Sequence, residues 1–339
     1  MFKELHQLPE GILKLKAHEL EKALESPALI HLQGKKNETL FISVLLHGNE
    51  PAGWDALRRL LKKYTCAGGK RELPRNMSIF IGNVAAAAKK MRRLDDQVDY
   101  NRVWPGGDAS GPEADMMHRI VEIMKDRNLF ASLDIHNNTG MNPHYGCIND
   151  TGNRFLRLAH LFRRLVIYFT RPSGVQSLAM SRLCPSITLE AGKAGDKRGI
   201  THVVEYIEEC LNLHELSDKE LHHEEIALYH TVATVKVPSD TSFCFGKIDN
   251  SQISFLNELE RFNFSELKAG TVWAELQNDD IKLSVSNESG KDVFDEFFTV
   301  KDNKLLSGKT IMPAMLTTDH KVIEQDCLCY LMERYDRNV

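Results

Sequence analysis

The stretch VLLHGNEP, residues 44–51, places an imidazole and a carboxylate three residues apart where an apolar run stops. A histidine and a glutamate at that spacing on a strand-to-helix turn can take hold of one divalent cation. His-x-x-Glu recurs at His18/Glu21, His202/Glu205 and His222/Glu225. Those copies lie in charged helical stretches and read as solvated faces. Only His47 and Glu50 follow an apolar strand and flank a glycine.

A second imidazole, His136, ends the apolar segment LFASLDIHN, with Asp134 two residues before it. Alternation in a strand puts Asp134 and His136 on one face, where the acid can accept the second ring N–H and fix the tautomer. Two histidines and one carboxylate, with the third ligand 86 residues after Glu50 (136 − 50), form the pattern of a catalytic zinc site with one open position. The expectation is one Zn²⁺ per chain held by His47, Glu50 and His136. Zinc makes bound water acidic and polarises a carbonyl. Glu190, in ITLEAGK, ends another apolar run and is the candidate base. In DYNRVWPG, Asn101 and Arg102 precede a turn, and an arginine fork suits a substrate carboxylate. Arg92 and Arg93, just upstream, are candidates to stabilise an oxyanion.

These residues need strands to end beside one another. Residues 40–48, 77–84, 129–137 and 185–193 read as buried strands. Helical periodicity is read at 10–26, after Pro51, at 113–128, 153–166 and 199–213. The alternation predicts an α/β fold, a mostly parallel mixed sheet flanked by helices, with working residues beyond the strand ends. From Thr231 the chain turns to short alternating segments, TVATVKVP, IKLSVSN, DEFFTVKD, TIMPAML and CLCYLMER. The expected domains are 1–214, carrying the hydrolase site, and 215–339, smaller and β-rich. TCAGGKRELP reads as an exposed loop.

With 339 residues, 42% hydrophobic and 27% charged, the chain has the composition of a soluble two-domain protein. A net charge of −4 gives no reason to expect nucleic acid or an anionic membrane as partner. No stretch has the length of a membrane span or the apolar core of a secretory signal, so a cytoplasmic location is expected. Seven scattered cysteines without a CxxC pair predict reduced thiols rather than a disulfide framework.

Taken in order, HGNE, DYNR-x-W-P-G, DIHNNT and LEAGK resemble the succinylglutamate desuccinylase/aspartoacylase family, a branch of the zinc-carboxypeptidase-like fold. The likeness runs over roughly residues 40–195. It implies zinc-dependent hydrolysis of the amide bond of an N-acyl amino acid, a small-molecule substrate carrying a carboxylate. By motif it implies His47, Glu50 and His136 as ligands and Glu190 as base and then proton donor. Asn101 and Arg102 would bind the carboxylate, and Asn137 would contact substrate. Arg93 would polarise the carbonyl, although its spacing to DYNR is one residue longer than the family pattern, which keeps Arg92 in play. Asn83-Val84 stands where the family usually has Asn-Pro. The alternatives are a carboxypeptidase-type metallopeptidase acting on a short peptide and a binding protein that keeps the metal without catalysis. Acyl group and oligomeric state are not legible.

Overall fold

The computed structural model describes residues 1–65, 71–222, 224–246 and 250–336. The loop expected around Gly68 and Gly69 lies outside the described residues. Two compact units are present. One comprises Met1–Asn137 and His144–Ala227, the other Asn138–Pro143 and Leu228–Val339.

In the first unit the strands are β1 (Lys3–Leu5), β2 (Ala28–Leu32), β3 (Lys36–Val44), β4 (Arg75–Ile81), β5 (Leu129–Asn138), β6 (Tyr145–Ile148), β7 (Leu165–Tyr168) and β8 (Ser186–Lys193). They lie in the order β1-β2-β4-β3-β5-β8-β6-β7. β3 is parallel to both β4 and β5, whereas β2 against β4 and β6 against β8 are antiparallel. The sheet is thus mixed, with a parallel centre. Helices α1 (Leu20–Leu24), α2 (Ala52–Thr65), α3 (Val84–Lys89), α4 (Pro112–Lys125), α5 (Asn153–Phe162), α6 (Gln176–Met180) and α7 (Lys197–Asn212) surround it.

Strand alternation divides the core. Phe41 and Phe80 pack with Met117, Ile120 and Met124 of α4 and Met180 of α6. Val44 and Ile135 instead lie against Gly53 of α2. Beside it α7 packs on α2, joined by Arg59 to Thr201 and Lys63 to Glu208. Burial on both faces explains why these strands read as continuous apolar runs rather than alternating ones.

Two local expectations change. The helix over 153–166 stops at Phe162, and Leu165–Tyr168 is a strand, because the β-branched and aromatic LVIY suits a sheet. The helix over 10–26 resolves into short 3₁₀ turns at Ile12–Lys14 and Ala17–Glu19, followed by α1.

The second unit contains β9 (Ala227–Lys236), β10 (Phe243–Phe245), β11 (Ile253–Phe255), β12 (Val272–Leu276), β13 (Ser284–Asn287), β14 (Phe298–Lys301), β15 (Lys304–Ser307), β16 (Met312–Ala314) and β17 (Cys329–Arg334). β17 pairs antiparallel with both β9 and β16, and β13 with β9. A five-stranded sheet runs β10-β11-β12-β15-β14. Its core includes Phe255, Trp273 and Phe298, and the Trp273 indole N–H donates to Ser307 Oγ at 2.8 Å. Phe294–Phe297, which overlaps the start of DEFFTVKD, is one helical turn before β14 begins.

Candidate metal centre

β3 ends at Val44, and Leu45 then takes a left-handed φ of 57° that turns the chain out of the sheet. His47, Gly48, Asn49 and Glu50 follow before α2. A Cβ on Gly48 would lie 2.2 Å from the Ala87 nitrogen, so glycine alone lets this turn press onto α3. Gly48 N–H donates to the Arg92 carbonyl at 3.0 Å, which ties the turn to the segment after α3. Glu50 sits just before the first turn of α2, where the helix dipole favours a carboxylate.

His47, Glu50 and His136 converge. Each offers one ligand atom, and these atoms all lie within 4.8 Å of one another. Among the described residues this is the only such group, and the other His-x-x-Glu copies form none. His47 Nδ1 faces Glu50 Oε1 at 2.9 Å, and His136 Nδ1 faces Glu50 Oε2 at 2.7 Å. The ring centroids are 5.0 Å apart. Each second ring nitrogen meets another acid. His47 Nε2 lies 3.0 Å from Asp99 Oδ1, and His136 Nε2 lies 2.8 Å from Asp134 Oδ2.

This donor set fits a divalent metal. A carboxylate only accepts, so Asp99 and Asp134 hold the proton on each Nε2 and leave each Nδ1 lone pair aimed at the Glu50 oxygens. Lone pairs and carboxylate oxygens gathered at one buried place repel unless a cation stands among them. On balance the charges around each group act in the same direction. Burial and the Arg92 guanidinium oppose a charge on His47, but Asp99 and Glu50 outweigh them and raise it. Burial likewise opposes a charge on His136, yet Asp134 and Glu50 hold it well above the usual imidazole range. Against burial, the same two imidazoles pull Glu50 below the usual carboxylate range. The site favours positive charge.

The backing acids are themselves held. Ser43 Oγ donates to Asp134 Oδ1 at 2.7 Å. Asn101 bridges both acids, its backbone N–H reaching Asp99 Oδ1 at 2.8 Å and its Nδ2 reaching Asp134 Oδ2 at 3.3 Å. Asn101 Oδ1 accepts from Gln176 N–H at 2.9 Å. The side-chain amide expected to meet substrate is therefore built into the support of His136. Asn137 differs from expectation in the same way. Its Oδ1 accepts from Ala52 N–H at 2.9 Å, its Nδ2 donates to the Gly192 carbonyl at 3.1 Å, and its backbone N–H reaches Glu50 Oε2 at 3.2 Å. It braces the turn before α2 against β8.

The two arginines are separated by geometry. Arg92 donates through Nη2 and Nε to Asp99 Oδ2 at 2.8 and 3.2 Å, and its Nη1 stands 3.9 Å from Glu50 Oε1. Arg93 turns to the Gln97 carbonyl, 2.8 Å from its Nη1, and steadies the connecting loop. The arginine at the cluster is Arg92, not Arg93. Arg102 is half-buried, with Nη1 donating to the Asn101 carbonyl at 2.8 Å.

Glu190 lies on β8, between β5 and β6, directly opposite Tyr145. It is only 5% exposed. Its carboxylate makes no hydrogen bond or ion pair among the described residues, and in particular none with Lys193. Burial, with the Glu50 and Asp134 charges adding and the imidazoles of His136 and His47 opposing, pushes it up to about 8. A buried acid whose pKa is raised toward neutrality, beside a cluster that could hold a metal ion, suits general acid–base work. Asp99, which backs His47, is not among the residues expected from the sequence. It stands inside DYNR, two residues before Asn101, and an acid so close to a recognised motif was the available signal.

Residues 36–205, half of the chain, match the family description "Succinylglutamate desuccinylase/Aspartoacylase catalytic domain". No curated protein matches this chain in sequence. Solved structures share the fold at low identity. A succinylglutamate desuccinylase from Chromobacterium violaceum is 14% identical with a TM-score of 0.58, over 90% of this chain and 87% of that one. A succinylglutamate desuccinylase/aspartoacylase from Rhodobacter sphaeroides is 14% identical with a TM-score of 0.59, over 90% and 88%. Murine aminoacylase 3 is 15% identical with a TM-score of 0.53, over 89% and 96%. The ordered motifs, the mixed sheet that brings their ends together and the catalytic-domain match across half its length all agree that this chain belongs to the succinylglutamate desuccinylase/aspartoacylase family.

Proposed function

We propose that this protein is a zinc-dependent amidohydrolase that removes the acyl group from an N-acyl amino acid. The first unit is its catalytic domain and the second a β-rich companion. One observation carries the reading: two imidazoles and a carboxylate converge on one point beside a buried, unpaired glutamate. Zinc held by His47, Glu50 and His136 would supply Lewis acidity, lowering the pKa of water and polarising the amide carbonyl.

The protein's own groups do the rest. Glu190 takes a proton from the attacking water on one carboxylate oxygen and passes it to the leaving amine nitrogen, so the base of the first step is the acid of the second. The guanidinium of Arg92 stabilises negative charge growing on the carbonyl oxygen. Arg102 grips the substrate carboxylate and sets the amide in register. Asp99, Asp134 and Asn101 keep both imidazoles in the ligating tautomer. Free, largely buried cysteines agree with a cytoplasmic setting. No helix among the described residues is long and apolar enough to cross a membrane.

The test is a panel of N-acyl amino acids offered to wild type and Glu190→Gln, with metal content measured on both. Wild type is expected to hydrolyse members of the panel. Glu190→Gln is expected to retain its metal and lose about a thousandfold in kcat. Wild-type turnover of short peptides alone would assign the site to a carboxypeptidase-type reaction. An active Glu190→Gln would remove the base from the mechanism.

A further inference from the structure

We propose that His144 is a positioning residue for Glu190: with Asp196 it forms a clasp that holds the turn ending the strand on which the base sits. This rests on the reading of Glu190 as the base.

His144 immediately precedes β6, and its neighbour Tyr145 is paired across the ladder with Glu190. His144 Nε2 lies 3.1 Å from Asp196 Oδ2. The other oxygen of Asp196 accepts the Arg198 N–H at 2.9 Å and caps α7. The turn runs between these two side chains. Gly192 has φ of 79°, and a Cβ there would lie 2.8 Å from His144 Nε2 and 3.0 Å from Asp196 Oδ2. A Cβ on Gly199, in the first turn of α7, would lie 1.9 Å from the Ala191 carbonyl oxygen and 3.3 Å from His144 Nε2. Ala191 and Gly192 are therefore seated tightly between the helix start and the imidazole.

The imidazole is itself backed. It stacks on His202, with centroids 5.9 Å apart and planes at 13°. His202 stacks on Phe162 at 4.6 Å, and its Nε2 is 2.8 Å from the Phe162 carbonyl oxygen. From the other side, Asn137, next in chain to His136, donates to the Gly192 carbonyl. The base is thus two residues from a turn gripped on both flanks. One grip comes from the neighbour of a metal-binding histidine, the other from the neighbour of the residue facing the base. The Glu190 carboxylate makes no hydrogen bond among the described residues, so its aim depends on that backbone. A misplacement of about 1 Å in a reacting group can cost about a hundredfold in rate.

The experiment compares His144→Ala, His144→Gln and Asp196→Ser with wild type. Readouts are amide hydrogen exchange over residues 190–199, metal content, and kcat and KM on the substrate found in the panel. Serine keeps a helix cap but cannot reach His144, so Asp196→Ser removes the clasp and leaves α7 capped. His144→Ala and Asp196→Ser are expected to keep their metal and to speed exchange at 191–196 by about tenfold or more. They are expected to lower kcat by about 10- to 100-fold with KM within about threefold. In His144→Gln the side-chain amide reaches Asp196 again and restores most of kcat. Exchange and kcat within about twofold of wild type in both His144→Ala and Asp196→Ser would overturn the clasp. Loss of metal in both would overturn it too, by moving the role to the ligands. If wild type hydrolyses no acyl amino acid, the deacylase reading fails, while the exchange measurement still decides the clasp.

Discussion

At the strand ends His47 and His136 are buried, and at the sheet margin so is His31, on β2. All three engage both ring nitrogens. His31 Nδ1 meets Ser78 Oγ at 2.8 Å, and its Nε2 meets Glu4 Oε1 at 3.2 Å. Burial, aided by the charge of Arg127, pushes His31 down to about 4, and the Glu4 carboxylate does not recover the loss. His136 suffers the same penalty from burial and ends above its ordinary range, because Asp134 and Glu50 both stand against it. One partly exposed acid leaves a buried imidazole neutral, and two buried acids make its surroundings cation-seeking. The count and burial of facing carboxylates, rather than the burial of the ring, separates a neutral structural histidine from one in surroundings that could hold a metal ion.

That contrast can be broken or sharpened by substitution. The largest effect is expected from Glu50→Gln, which removes the negative charge and replaces one of the two oxygens that face the Nδ1 atoms by an amide NH2. Metal bound per chain, by elemental analysis after dialysis, should fall from one to near zero, and turnover with it. Retention of a full equivalent would show that the cluster is not the metal centre. Asp99→Asn and Asp134→Asn should each weaken metal affinity by about 10- to 100-fold in a chelator competition, while His31→Gln changes it little. An equal loss in His31→Gln would erase the distinction between the two sites.

Glu190 supplies a pH test on metal-free protein. Its folded-state value is raised from 4.5 to about 8, so the fold disfavours the ionised carboxylate. Wild type should lose stability, relative to Glu190→Gln, as pH rises from about 4.5 to 8, by a few kcal/mol at roughly 1.4 kcal/mol per pH unit. Parallel urea-melt stabilities of the two across that range would place Glu190 in a more polar setting. The smallest effect concerns His31. Its folded value lies below the ordinary 6.5, so the unfolded chain binds the extra proton between about 4 and 6.5. The stability it contributes is full above 6.5 and is lost as pH falls through that window. His31→Gln should flatten this slope, and an unchanged slope would assign the acid sensitivity elsewhere.

Much of the site was legible because strands buried on both faces read as apolar runs, and a polar residue closing such a run is conspicuous. His47, Glu50, His136 and Glu190 were found that way, as was Asp134 behind His136. The short strands at Tyr145–Ile148 and Leu165–Tyr168 were not, since a four-residue run has too little length to show a period. For the same reason the helix expected over 153–166 ran on across β7. Family resemblance gives Asn101 and Asn137 substrate roles by motif, and motif position says nothing of where an amide points; in the fold both amides are engaged by neighbouring side chains and backbone.

By itself the sequence determined which chemical groups are present, at what spacing, and on which kinds of element. Those follow from periodicity, turn residues and the apolar character of each strand, all local properties. The tertiary structure alone decided that Arg92 rather than Arg93 faces the acids, that Asp99 backs His47, and that Nδ1 rather than Nε2 of each imidazole points at Glu50. The direction of a side chain's donor is set by partners across the fold, such as the 52 residues between His47 and Asp99 or the 86 between Glu50 and His136. Such partners are fixed only when the strands pair and their ends meet.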